Sequence, residues 1–227
     1  MAGAAPRASI FRERLTGRFA PEAAVAALPL LAGAAIAGAL GAPWLALGLA
    51  ALGVFGAAFF RNPARTPPAD PDAVVAPADG RVVEAGAVEL ADGRKALRVG
   101  IFLSVFDVHV NRAPVAGRVV SVARRGSAYL AAFRPEAAAQ NVQLALELET
   151  ASGARVGVVQ ITGWIARRIV CHARVGEWLP RGARYGLIRF GSRTDVVLPP
   201  EAELCVARGA RVAGGRDVVA RLPGAGG

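Results

Sequence analysis

The sequence predicts a mainly β fold, an antiparallel β-sandwich or partly closed barrel, preceded by an apolar helical hairpin. Three observations support this prediction: residues 23–60 carry no charge, a proline-rich linker follows them, and beyond residue 70 short β-rich runs alternate with glycine turns. The length of 227 residues is enough for one sizeable core with an appendage. A composition that is 54% apolar, with a mean hydropathy of +0.40, excludes a disordered chain.

The uncharged run follows a basic N-terminal segment, residues 1–22, and is divided by the turn-forming cluster Gly41-Ala42-Pro43. As helices, Ala23–Leu40 and Trp44–Phe60 would each span about 27 Å, close to the ~30 Å hydrocarbon core of a bilayer. Arginines flank the run on both sides while the connection is uncharged. Both flanks are therefore expected on the cytoplasmic side of the cell membrane. The alternatives are a single tilted helix with a second, interfacial or re-entrant helix, and a signal peptide.

The linker, residues 61–71, is rich in proline and unsuited to helix or sheet, and a β-domain is expected over residues 72–227. Asp92-Gly93 and Ser152-Gly153 predict hairpin turns, and Ala128–Ala139 is the one segment with helical character, although Pro135 interrupts it. The predicted strands are Arg81–Val83, Ala96–Leu103, Gly117–Ala123, Val142–Glu149, Arg155–Thr162, Tyr185–Phe190, Asp195–Leu198 and Val218–Leu222.

The charge is strongly basic, with 27 Lys+Arg against 17 Asp+Glu, and Lys95 is the only lysine. Because many arginines flank the apolar run or are scattered among the strands, the expected partner is anionic membrane lipid and not nucleic acid. Two cysteines, Cys171 and Cys205, are too few for a disulfide scaffold. The Cys171-His172 pair has no third ligand nearby, so no metal site is expected.

Four local patterns contain polar residues suited to chemistry. The first, Pro77-Ala78-Asp79-Gly80, places an acid just before a strand, where a capped β-turn is the simplest interpretation. The second, residues 102–114, sets His109 in a polar cluster after an apolar strand. The third, residues 160–169, combines a strand, a turn and two arginines. The fourth places Gly191-Ser192 between two strand-like runs, as in a hairpin turn or bulge.

Together and in this order, the four patterns resemble the phosphatidylserine decarboxylases, in the short form found in bacteria and archaea. The resemblance runs from about Phe59 to Pro199. It implies a proenzyme that cuts itself between Gly191 and Ser192 into a β chain, residues 1–191, and an α chain, residues 192–227, which remain associated. Ser192 would become a pyruvoyl group, a built-in cofactor that forms a Schiff base with phosphatidylserine and accepts electrons as CO₂ leaves, giving phosphatidylethanolamine.

The resemblance also implies roles for individual residues. Asp79, His109 and Ser192 match the family's Asp-His-Ser set, in which the acid orients the histidine and the histidine is the base for the serine. His109 is also the candidate proton donor in decarboxylation. Longer relatives have a second histidine where this chain has Arg112, so whether His109 serves both steps stays open.

Candidates for binding the substrate's phosphodiester are Arg112, Arg167 and Arg168, because a guanidinium fork suits phosphate oxygens. The alternative for Arg167 and Arg168 is a solvated strand edge. A homo-oligomer is also left open, since neither the motifs nor the composition bears on it.

Two other functional classes are alternatives. A membrane-tethered carrier would use Lys95, which lies near the Asp92-Gly93 turn, but its neighbours do not match biotinyl or lipoyl sequences. A conventional serine hydrolase using His109 and Ser192 would lack the usual Gly-x-Ser-x-Gly motif. Intact mass distinguishes the classes, because a carrier gains mass, a hydrolase stays whole and a pyruvoyl enzyme splits in two.

Overall fold

The computed structural model of the chain describes residues 17–20, 22–130, 136–164, 168–188 and 192–224. The chain divides into two compact units, Met1–Ala64 and Arg65–Gly227. The boundary falls inside the proline-rich segment, residues 61–71, which contains no helix and no strand. The first unit is called the helical unit below, and the second the β-unit.

The helical unit is a hairpin of two helices, α1 (Glu22–Ala39) and α2 (Pro43–Phe59), which confirms the expected hairpin. The turn between them uses Gly41 with φ +75°, a left-handed conformation that favours glycine. Small residues allow the helices to pack closely: a Cβ added to Gly53 would lie 3.0 Å from the Leu31 side chain. By length and composition α1 can cross a membrane, whereas α2, with 17 residues, is shorter.

The β-unit is built from antiparallel strands with one short helix, α3 (Ala137–Gln140). The strands are β1 (Ala73–Val75), β2 (Gly80–Glu89), β3 (Lys95–Leu103), β4 (Val110–Arg112), β5 (Gly117–Arg125), β6 (Gln143–Glu149), β7 (Arg155–Ile161), β8 (Ile169–Cys171), β9 (Trp178–Leu179), β10 (Arg184–Ile188), β11 (Ser192–Leu198), β12 (Glu203–Leu204), β13 (Arg211–Val212) and β14 (Val218–Arg221).

Within the described residues these strands form one large sheet and two small ones. The large sheet has the order β13-β2-β3-β11-β7-β6-β5-β9 and curls into a half-barrel. One small sheet has the order β4-β10-β8 and the other β1-β14-β12. The mainly β prediction is confirmed, and the curl favours the partly closed barrel.

Alternating apolar residues on one face of the large sheet form the core. Val99, Ile101 and Leu103 of β3 are fully buried, and so are Val156 and Val158 of β7. Burying each such side chain contributes about 1.5–3 kcal/mol, and the two-residue period places all of them on the same face. This packing fixes the ends of β2, β3 and β11, which carry the predicted site.

Several predicted segments differ from the structure. The last predicted strand of the large sheet begins at Ser192, three residues before the expected Asp195, while Arg189, Phe190 and Gly191 lie outside the described residues. Of the expected helix over Ala128–Ala139, residues 128–130 are not helical, 131–135 lie outside the described residues, and only the four-residue α3 is helical. Proline disrupts a helix interior, which agrees with a helix that begins only at Ala137.

Candidate active site

Ser192 is the first residue of β11 and pairs with Leu103, the last residue of β3. It is fully buried. Among the residues that the structure describes, its hydroxyl has no hydrogen-bond partner. Buried hydroxyls are usually satisfied, so an unengaged one at a strand end is a candidate reacting group. Gly191, the predicted partner in the cleaved bond, lies outside the described residues.

The chain passes twice between the large sheet and the small sheet β4-β10-β8, and residues 189–191 of the second passage lie outside the described residues. One leaves the large sheet after Leu103 and enters the small sheet at Val110; the other leaves the small sheet after Ile188 and enters the large sheet at Ser192. Their end strands are paired on both sides, β3 with β11 and β4 with β10. This topology rules out the alternative of a simple β10–β11 hairpin, because the two strands belong to different sheets.

The first crossing brings His109 to the chain just before Ser192. The N–H of Ile188, four residues before Ser192, donates to the carbonyl of His109 at 3.3 Å. The His109 side chain is buried, and its Nδ1 lies 2.9 Å from the carbonyl oxygen of Asp107. A carbonyl can only accept, so Nδ1 carries the hydrogen and Nε2 is the basic nitrogen of the neutral ring.

Asp107 holds the loop that presents His109. Its Oδ2 accepts hydrogen bonds from the backbone N–H of Ser104 at 2.8 Å and from the Ser104 hydroxyl at 2.6 Å. The Asp107 N–H donates back to the Ser104 carbonyl at 3.0 Å, closing a tight turn. These hydrogen bonds explain why Asp107 occurs in the polar cluster around His109. Its side chain fixes the turn, and its backbone carbonyl then fixes the tautomer of the His109 ring.

Asp79 precedes β2 at the same end of the large sheet. Its Oδ1 accepts from the N–H of Gly214 at 2.7 Å, and its Oδ2 accepts from Arg65 at 2.9 Å. Burial raises the pKa of Asp79 above its usual value, and the Gly214 N–H and the Arg65 guanidinium oppose this rise. Its orienting role toward His109 stays a prediction, since the described hydrogen bond of His109 Nδ1 goes to a carbonyl.

The register of the large sheet places Asp79 and Ser192 on either side of β3. Arg81, Phe102 and Arg193 are neighbours across β2, β3 and β11, so the two site residues lie about two strand spacings, roughly 10 Å, apart. Gly80 is needed here, because an added Cβ would lie 2.2 Å from the Phe102 carbonyl oxygen. The glycine after Asp79 therefore permits close contact of β2 and β3, in addition to any role in a turn.

A buried polar network that the sequence analysis missed connects the small sheet β4-β10-β8 to the large sheet close to Ser192. Asn111 of β4 donates to the Thr194 hydroxyl of β11 at 3.2 Å and accepts from Gln160 of β7 at 2.7 Å. All three side chains are fully buried. Gln160 was detectable in principle, because it occupies a core-facing position in alternation with Val156 and Val158. Its partners were not, since only the tertiary structure brings them together.

The two candidate phosphodiester-binding arginines that the structure describes, Arg112 and Arg168, are not grouped. Arg112 pairs with Arg184 at one end of β10, whereas Arg168 precedes Ile169, which pairs with Ile188 at the other end. Those ends are about 13 Å apart along the strand. Arg112 is buried and donates to the Gly182 carbonyl at 3.1 Å.

The electrostatic surroundings of the two arginines also differ. Burial, with neighbouring Arg184 and Arg65, lowers the pKa of Arg112 to about 10. Arg168 is exposed and lines a cavity of about 430 Å³ beside Arg124 and Cys171, and Arg167 lies outside the described residues. Of the two described candidates, Arg168 is therefore the one accessible to a substrate.

Comparison with known proteins agrees with this arrangement. The model of the phosphatidylserine decarboxylase family matches residues 52–220. A phosphatidylserine decarboxylase proenzyme of Pelobacter propionicus is 50% identical over 174 residues, covering 76% of this chain and 79% of the relative. The proenzyme of Mycobacteroides abscessus is 47% identical over 206 residues, covering 87% of this chain and 86% of the relative. The match of the family model over most of the chain and the similarity to these proenzymes show that the chain belongs to the phosphatidylserine decarboxylase family.

Proposed function

We propose that this chain is a self-cleaving, pyruvoyl-dependent enzyme that converts phosphatidylserine to phosphatidylethanolamine and CO₂ in phospholipid biosynthesis. The observation that supports it best is the hydrogen bond from the N–H of Ile188 to the His109 carbonyl, which places His109 beside the end of β10, four residues before Ser192. A buried serine hydroxyl with no described partner fits the origin of a pyruvoyl group at this position. The similarity to named proenzymes supplies the substrate class and the expectation of self-processing.

In the proposed cleavage, the Ser192 hydroxyl oxygen attacks the carbonyl carbon of Gly191, and His109 Nε2 accepts the hydroxyl proton. The Ser192 nitrogen leaves as an amine, which converts the peptide bond into an ester. Elimination of the Gly191 carboxylate leaves a dehydroalanine, and water converts it to a pyruvoyl group with release of ammonia. The result is a β chain ending at Gly191 and a 36-residue α chain beginning at position 192.

A pyruvoyl group at this position supplies a ketone that captures the substrate amine and a conjugated carbonyl that accepts the electrons released with CO₂. The surrounding residues bind, orient and move protons. With Nδ1 held by the Asp107 carbonyl, His109 presents Nε2 as the atom that can return a proton to the substrate carbon. Buried apolar residues such as Leu103 and Ile188 exclude water from the same region.

The two chains would stay associated after cleavage because β11 lies between β3 and β7 in the large sheet. Every backbone pairing of β11 is therefore with the β chain. β14, also in the α chain, pairs with β1 of the β chain. Separating the two chains would break the hydrogen bonds of β11 with β3 and β7 and of β14 with β1, and it would expose the core.

The helical unit would hold the enzyme at the membrane that contains its substrate. Apolar side chains such as Val25, Leu28 and Ile36 of α1 and Trp44 of α2 are exposed, as expected for a surface in contact with lipid. With arginines on both flanks, the N-terminus and the β-unit would both face the cytoplasm. Reporter fusions at each end test the sidedness; a periplasmic signal from either end would contradict the hairpin orientation.

We further propose that Arg168 binds the phosphodiester of the substrate, because it is exposed and next to Ile169, which pairs with the end of β10 that leads to Ser192. Arg168→Gln should raise the KM for phosphatidylserine while leaving self-cleavage unchanged. Arg155→Gln, an exposed arginine elsewhere in the β-unit, is the control. An unchanged KM for Arg168→Gln would exclude this role.

Intact mass of the wild-type chain and of Ser192→Ala tests the proposed function directly. The wild type should give chains of 191 and 36 residues, with an α chain whose blocked end is reduced by borohydride in the presence of an amine. Ser192→Ala should remain whole and inactive, whereas the control Ser121→Ala, a strand serine in β5, should be cleaved normally. An uncleaved wild type that decarboxylates phosphatidylserine would contradict the proposal.

A further inference from the structure

Charged residues lie on the face of β11 opposite the core, immediately after Ser192. The Arg193 guanidinium donates from Nε to Asp195 Oδ1 at 2.5 Å and from Nη2 to Asp195 Oδ2 at 3.0 Å. It also donates to Glu84 on β2. Arg193 and Asp195 are each only 3% exposed. The Arg193 side chain therefore extends from β11 across β3 to β2.

Arg98 of β3 completes the arrangement. Its Nη1 lies 3.5 Å from Glu84 Oε1, and its Nε lies 3.9 Å from Asp195 Oδ2. Two carboxylates and two guanidinium groups thus form a closed ring of ion pairs, called the charge ring below. Its members are Glu84, Arg98, Arg193 and Asp195. It is electrically neutral and links β2, β3 and β11.

Gly100 makes room for the charge ring. A Cβ added to Gly100 would lie 2.5 Å from Arg193 Nη2 and 2.8 Å from its Cζ. The register aligns Gly100 with both Glu84 and Asp195. The Arg193 guanidinium therefore passes close over the backbone of β3 at Gly100. A side chain at position 100 would occupy the same space and block it.

Stability alone is a weak reason for such a ring. Removing charges from water offsets much of their attraction, so apolar replacements of buried ion pairs are often neutral or stabilising. What the ring does provide is a fixed position for residue 193 relative to three strands. Residue 193 directly follows the serine that must reach its own preceding carbonyl.

We propose that the charge ring is a positioning device for residue 192, holding the start of β11 during self-cleavage and after that start has become a chain end. This inference rests on the proposed cleavage between residues 191 and 192. Chain ends fray unless they are held, and a misplacement of about 1 Å in a reacting group costs about 10²-fold in rate. Arg193 is thus a positioning residue that acts through residue 192.

The test separates positioning from stability by removing charges in pairs. Arg193→Met alone leaves two acids against one base and should lower the melting temperature. The paired variant Arg193→Met/Glu84→Gln leaves Arg98 and Asp195 as a matched pair, so its melting temperature should return close to that of the wild type. Its cleavage, followed by intact mass after cell-free synthesis of the full chain, should still be about 10- to 100-fold slower.

The matched control is Arg155→Met/Glu147→Gln, which removes an ion pair between an exposed arginine and a half-buried glutamate of the same sheet, far along the strands from residue 192. It should be cleaved at the wild-type rate. Gly100→Ala should slow cleavage as the paired variant does, because the added Cβ displaces Arg193. If the paired variant does not fold, Arg193→Lys takes its place, because it keeps the positive charge but lacks the forked guanidinium. Its melting temperature and cleavage rate are then compared with those of the wild type.

Wild-type cleavage by a folded paired variant, or by folded Arg193→Lys if it is needed, would overturn the positioning role. Failure of the underlying function is distinguishable, because then the wild-type chain itself would not be cut before Ser192. Slow cleavage at an unchanged melting temperature is the result that supports the inference.

Discussion

Replacing Asn111 with alanine tests the link between the strand that follows His109 and the strand that begins at Ser192. The substitution removes the hydrogen bond donated to Thr194 at 3.2 Å and the one accepted from Gln160 at 2.7 Å. Because all three side chains are fully buried, water cannot replace these partners without entering the core. Leaving a buried polar group unsatisfied costs about 1–3 kcal/mol.

Two groups lose a partner in Asn111→Ala, so the free energy of unfolding should fall by about 2–6 kcal/mol. For a chain of this size, 1 kcal/mol corresponds to about 2–4 °C, which predicts a melting temperature lower by roughly 4–24 °C. The measurement is best made in a Ser192→Ala background, since the chain then stays whole. Circular dichroism of the β signal follows the transition.

The same variant with Ser192 intact should cleave more slowly, because β4 and β11 lose their direct side-chain connection. Thr194→Val removes one partner only and should cost about 1–3 kcal/mol. The double variant should cost less than the sum of the single ones, by about 0.5–3 kcal/mol. A loss below about 0.5 kcal/mol for Asn111→Ala, with wild-type cleavage, would refute the reasoning that the network supports the site.

Three other changes probe separate parts of the molecule. Arg65→Met removes a group that opposes the burial-raised pKa of Asp79, so that pKa should rise further. With ionised Asp79 as the proposed orienting acid, cleavage should then fall off at a higher pH than in the wild type. If the loss of cleavage at low pH occurs at the same pH in Arg65→Met and in the wild type, Asp79 is not the acid that orients His109. Gly80→Ala brings a Cβ against backbone and should destabilise the β-unit by about 3 kcal/mol, measured by its urea midpoint. Deleting residues 1–60 should release the β-unit from membranes; continued flotation with liposomes would show that another surface binds lipid.

The sequence by itself determined the general plan and the chemistry-bearing residues. Long strands such as β3 and β6 alternate apolar residues over seven or more positions, and that period is a local property. The hairpin turns at Gly93 and Gly153 were also predictable, and both glycines adopt positive φ. The motifs around Asp79, His109 and Ser192 identified a family, because several specific segments occurred in the expected order.

Short strands were missed for the opposite reason. β4, β8, β9, β12 and β13 contain two or three residues each, too few for a periodic signal. They exist because distant strands pair with them. β4 is the important case, since its pairing with β10 carries the His109 segment to the chain before Ser192.

Only the tertiary structure decided which polar residues are buried. In sequence, Arg193 and Asp195 alternate with core residues, which is typical of the solvated face of a strand. They are buried because Glu84 and Arg98 come from β2 and β3 and because Gly100 leaves a path across the sheet. This pairing of buried charges depends on the register between neighbouring strands, which cannot be predicted from the sequence of one strand alone.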